Sequence, residues 1–102
     1  MYNAVALSWS NVLAPPDVPA DMPPIVFAMR KVLAVLAEAG TGPEYAAKLT
    51  IYLAVGVDPG VAYAATRSVW GDHRTAVTVL AVTPARPGAL VEIEAVATLP
   101  DR

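Results

Sequence analysis

Residues 73–82 read HRTAVTVLAV and residues 89–97 read ALVEIEAVA, and the fold turns on what these two runs do. TAVTVLAVT (75–83) and ALVEIEAVATL (89–99) alternate with a period of two, the pattern of β-strands. The turn-rich PARPG (84–88) between them predicts an antiparallel hairpin. Residues two apart on a strand share a face, so Glu92 and Glu94 lie together, opposite Val91, Ile93 and Ala95. Arg74 heads the first of the two strands. A surface strand can carry such charges for solubility and edge protection alone, so their meaning depends on the rest of the chain.

Working outward, KLTIYLAV (48–55) is a third strand, with Leu49, Ile51, Leu53 and Val55 on one face and Lys48, Thr50, Tyr52 and Ala54 on the other. Between it and Arg74, VDPG (57–60) starts a helix, with Asp58 as cap and Pro59 at the first helical position. Val61, Ala65, Ser68 and Val69 form its inner stripe up to Trp70, and Gly71 ends it. Upstream, Ile25, Met29, Val32 and Leu36 recur at helical spacing, with Asp21 placed to cap, Pro23 and Pro24 in the first turn and Gly40 as the left-handed stop. APPDVPADMPP (14–24) is proline-broken loop leading into that helix, and NAVALSW (3–9) is a short strand. The order is strand, helix, strand, helix, strand, strand.

The chain has 102 residues, 56% of them hydrophobic and only 16% charged. It reads as a single domain over residues 1–102, too small to hide that much apolar surface within itself. The apolar runs are broken by Pro, Gly or charge before the roughly 18 to 20 residues a spanning helix needs, so no membrane is expected. The opening MYNAVALSWSNVLAPP has no basic segment, and Ser8, Ser10 and Asn11 interrupt its apolar stretch, so it does not read as a secretory leader. A cytoplasmic protein that buries the excess apolar surface against copies of itself is the expectation. Cysteine is absent, which excludes disulfides and thiolate chemistry. With a single histidine no metal site is expected, and nothing in the residues calls for a cofactor. A net charge of −2 with scattered Lys and Arg argues against a nucleic-acid partner.

VLAVLAEAG (32–40), AAKLTIYLAV (46–55), an Arg opening the next strand and LVEIEAVA (90–97) occur in the order and nearly the spacing of the reactive intermediate deaminase (Rid, or YjgF) family, which the chain resembles over residues 29–97 and more loosely over 3–9. The resemblance implies an α/β (α+β) domain of the chorismate mutase-like fold, a mixed sheet packed by two helices, assembled as a homotrimer with ligand clefts between subunits. The family's active members hydrolyse enamines and imines derived from amino acids, with an Arg on the substrate carboxylate and a Glu beside the attacking water. Those positions correspond to Arg74 and Glu92 here, and Ser8 corresponds to a cleft serine. The family's first strand has no evident counterpart, Tyr63 stands where active members often carry Asn, and WGDHR (70–74) lacks the customary Pro ahead of the Arg.

An Arg suits a carboxylate because its planar fork donates two parallel charge-assisted hydrogen bonds. A carboxylate such as Glu92, with a water and an activated C=N carbon held nearby, needs no metal to hydrolyse it. Glu94 reads either as solvated and edge-protecting or as a second cleft residue. Tyr63, Trp70 and His73 are candidate cleft walls, and for Trp9, Tyr63 and Trp70 packing at a subunit seam is the competing role. Asp72 and His73 with Ser8 or Ser68 could suggest a triad, but there is no Gly-x-Ser-x-Gly turn to expose a nucleophile. The functional expectation is a Rid-like hydrolase acting on a carboxylate-bearing enamine or imine. Two alternatives stand beside it: a tailoring enzyme of specialised metabolism performing a condensation, cyclisation or dehydration in the same cleft, and a non-catalytic ligand-binding trimer.

Overall fold

In the computed structural model, residues 21–83 and 88–100 are described in full and residues 5–13 as backbone. Four strands, β1 (Val5–Leu13), β2 (Ala46–Ala54), β3 (Ala76–Val82) and β4 (Ala89–Thr98), form one mixed sheet in the order β1-β4-β2-β3. β4 pairs antiparallel with both β1 and β2, whereas β3 runs parallel to β2. Two helices, α1 (Pro24–Glu38) and α2 (Pro59–Ala65), pack on the sheet through the same buried cluster.

The hairpin expected of the last two strands does not form. β2, α2 and β3 make a parallel crossover unit, and β4 returns on the far side of β2. The reason lies in strand directions. β3 ends at the same end of the sheet as its parallel neighbour β2, and antiparallel β4 begins there. The end of β3 and the start of β4 therefore lie on either side of β2, about 10 Å apart at the usual strand spacing. β4 is thus an interior strand, and edge protection by Glu92 and Glu94 falls with the hairpin.

α1 buries Ile25, Ala28, Met29, Val32 and Leu36, a stripe of the kind expected from the spacing. Its N-cap is Pro23, with no side-chain hydrogen bond, so Asp21 does not cap it and lies exposed in a turn instead. Its C-terminus closes as the periodicity predicted. Gly40 takes φ +87°, its N–H donates to the Ala37 carbonyl at 3.0 Å, and the Thr41 N–H donates to that of Leu36 at 2.9 Å.

Asp58 caps α2, its Oδ1 accepting from the Gly60 N–H at 2.9 Å, with Pro59 in the first turn. Half of the expected inner stripe is found: Ala65 is buried and Val69 packs against the core, while Val61 and Ser68 are exposed and Ala62 is buried in their place. After Ala65 the helix widens into a π-type turn, Thr66–Trp70, which rotates the chain so that Trp70 enters the core at 2% exposure.

Strand alternation sorts the sheet into two faces. Leu49, Ile51 and Leu53 of β2 and Val91, Ile93, Ala95 and Ala97 of β4 are buried with the helices, and Val77 and Val79 of β3 pack against them. The other face carries Lys48, Thr50 and Tyr52, Thr78 and Leu80, and Glu92, Glu94 and Val96. No described element covers it.

Candidate functional site

Both glutamates sit on the uncovered face, half-buried. In the ladder Glu92 lies between Asn11 of β1 and Tyr52 of β2, and Glu94 between Trp9 and Thr50. Thr50 is 4% exposed, and its Oγ1 has no hydrogen-bond partner. A buried hydroxyl left unpaired is costly, so this face has a polar centre incompletely satisfied within one copy.

Arg74 is exposed, two residues ahead of β3. Its neighbour Thr75 is fixed on both sides. The Thr75 Oγ1 accepts from the Trp70 Nε1–H at 2.9 Å and donates to the Ala46 carbonyl at 3.3 Å. This places Arg74 at the rim of the sheet beside the start of β2. His73 precedes it, also exposed.

Within one copy, Arg74 and Glu92 stand far apart. Lys48 is paired with Ala76 and Tyr52 with Glu92, so Arg74 and Glu92 are offset by about six residues along the sheet, roughly 20 Å. Tyr63 is 51% exposed on α2, in the helical layer behind the sheet. Trp70 lies in the core, where its indole touches Thr75 rather than a surface. Ser8 is opposite Ala95 in β1, and its side chain, like that of Trp9, is outside the described residues. The structure brings His73 and Arg74 together at the rim and Glu92 and Glu94 together on the open face, and it separates these pairs from each other and from Tyr63.

The sequence reading did not single out Thr50, Tyr52 or Thr75. For the first two the signal was the polar half of KLTIYLAV, which shares the face of the glutamates only once β2 is known to pair with β4. Thr75 carried no signal of its own. A small apolar hollow of about 80 Å³ lies between the start of α1, α2 and the end of β2, lined by Ile25, Leu53, Val57, Val61, Ala62 and Val91 among others. It is well below the volume of a typical ligand pocket. Among the described residues no three His, Cys, Asp or Glu side chains cluster to hold a metal, and no helix is long and apolar enough to cross a membrane.

A four-stranded mixed sheet covered on one side by two helices, with carboxylates on the bare side and an Arg at the rim, defines a two-layer sheet-and-helix domain with one open sheet face. No protein-family model matches the chain, and no curated protein does. Solved structures do. A candidate endoribonuclease L-PSP from Entamoeba histolytica superposes with a TM-score of 0.81 at 29% identity, over 97% of this chain and 83% of that one. A member of the YjgF protein family from Neisseria meningitidis matches at 25% identity and TM-score 0.57, over 93% of this chain and 82% of its own. A protein of the conserved Rid family from Yersinia pestis shares the fold at TM-score 0.68 and 21% identity, over 97% and 81%. The neighbours are consistently Rid (YjgF, L-PSP) proteins, which supports a divergent relative of that family.

Proposed function

We propose that the protein is a Rid-like hydrolase of a carboxylate-bearing enamine or imine, working in clefts between three copies of the chain. Arg74 of one copy holds the carboxylate, and Glu92 of the next positions the water. The observation that carries this reading is the roughly 20 Å offset between Arg74 and Glu92 in one copy. A small 2-imino acid cannot touch both there, whereas a ring of copies can lay the rim of one over the bare sheet face of the next. His73 flanks the carboxylate, and Trp70 supports the Arg74 loop from within the core.

The chemistry follows from the residues. The protonated imine is already electrophilic, and the Arg74 fork fixes its carbon. Glu92 takes a proton from water as the water oxygen adds to the C=N carbon and the π pair moves to nitrogen. The carboxyl group then protonates the amine of the resulting carbinolamine. As the C–N bond breaks and the C=O bond forms, the hydroxyl proton passes through the same carboxylate to the departing ammonia. The products are a 2-keto acid and ammonium, with no oxidant, reductant or metal consumed. The ribonuclease activity named for the Entamoeba neighbour draws no support from this chain, whose seven Lys and Arg among 102 residues are scattered and whose net charge is −2.

The test is ammonia release from freshly generated 2-aminoacrylate. Wild type should accelerate it, and Glu92→Gln should lower turnover by roughly 10² to 10⁴ with pyruvate binding retained, as expected for loss of a general base. A wild type that binds pyruvate but releases no ammonia above background would replace this reading with that of a binding trimer or a tailoring enzyme.

A further inference from the structure

We infer that Trp70 and Thr75 form a clamp that holds the Arg74 loop in its binding geometry, so that Thr75 is a positioning residue for the carboxylate anchor. This inference rests on Arg74 being that anchor, as proposed above. Arg74 is exposed, and so are its loop neighbours Gly71, Asp72 and His73. A long side chain launched from such a loop would lose much of its binding advantage to disorder. The chain closes the loop from both ends. The π-type turn carries Trp70 into the core at 2% exposure, and Gly71 then reverses the backbone at φ +77°. Four residues later the Thr75 hydroxyl meets the buried indole at 2.9 Å and spends its own proton on the Ala46 carbonyl at 3.3 Å.

Each partner uses the chemistry it has. An indole N–H donates only, and a hydroxyl can accept one bond while donating another. The result ties the end of the π-type turn, the Arg74 loop and the first residue of β2 to one point. A Ser at position 75 can reproduce both bonds, and a Val, of the same shape, can make neither. That separates positioning from packing.

The experiment compares wild type, Thr75→Val, Thr75→Ser, Trp70→Phe and Arg74→Lys by NMR titration with pyruvate and with pyruvamide, which lacks the carboxylate. Amide hydrogen exchange at residues 72–74 is measured alongside in the absence of ligand. Thr75→Val should weaken pyruvate binding by roughly threefold to tenfold, the worth of a modest hydrogen bond, leave pyruvamide binding unchanged and speed loop exchange. Thr75→Ser should restore both, and Trp70→Phe should behave as a milder Thr75→Val. Loop exchange in Thr75→Val identical to wild type would overturn the clamp whatever the ligand results. If Arg74→Lys abolishes pyruvate binding while Thr75→Val binds as wild type, the clamp fails and the anchor survives. If Arg74→Lys binds pyruvate as wild type, the anchor itself fails and positioning for it fails with it.

Discussion

Glu92 and Glu94 are two residues apart on one strand face, and their surroundings make them unequal. Glu92 lies against Tyr52 and Asn11, whereas Glu94 lies against Thr50 and Trp9. Glu94→Gln should leave turnover on 2-aminoacrylate within a few-fold of wild type, in contrast to the loss expected for Glu92→Gln, with thermal melts excluding unfolding for both. Equal and small rate effects would leave neither glutamate catalytic. Arg74→Lys keeps the charge and loses the two-pronged geometry. Pyruvate affinity measured by calorimetry should therefore fall by an amount equivalent to roughly 1.5 to 3 kcal/mol, the worth of a charge-assisted hydrogen bond. The residue types of this pair were legible from the chain alone. That they sit on different parts of the sheet was not, because distance across a sheet depends on pairing and register.

The helices show how far local chemistry reaches. Pro59 after Asp58, and Gly40 after the stripe ending at Leu36, are legible in the sequence because caps and stops act on backbone groups within a few residues. Asp58→Ala should cost about 1 kcal/mol in urea unfolding, with the m-value unchanged. The same local reading put a cap at Asp21, where two prolines already start the helix and leave the aspartate in the preceding turn. It also chose Val61 for the inner stripe of α2. Within α2 the buried face is Ala62 and Ala65, and the π-type turn that follows shifts the periodicity so that Trp70 continues it. Ile93, fully buried in the central strand, is where element and core meet. Ile93→Ala should lower stability by about 2 to 5 kcal/mol in the same unfolding experiment.

As a whole, the molecule has one finished layer and one unfinished one. The helical side of the sheet is closed over a continuous core, while the far side leaves Leu80 45% exposed and a buried Thr50 hydroxyl unpaired. β3 adds an edge strand of seven residues without a charge or a proline, the kind of edge that natural sheets usually protect. These features support the homotrimer as a proposal, with light scattering on a sizing column as its check. Leu80→Glu, on the bare face and separated from Glu92 by Tyr52, should shift the mass to that of one chain while circular dichroism stays that of a folded domain. A wild-type mass of one chain at low micromolar concentration would remove the intersubunit cleft.

The chain alone determined the element types, the two-sided character of β2, the pairing of Glu92 with Glu94 on one face and the family likeness. All of these rest on periods of two and 3.6 residues or on short-range backbone chemistry. Tertiary structure decided the rest. It placed β4 between β1 and β2 instead of beside β3, sent Trp70 inward to Thr75, and put Arg74 far along the sheet from Glu92. The physical reason is that a strand's own pattern says which side is buried but not which strand lies next to it. That choice is made by the crossover through α2 and by the burial gained when β4 has a neighbour on each side.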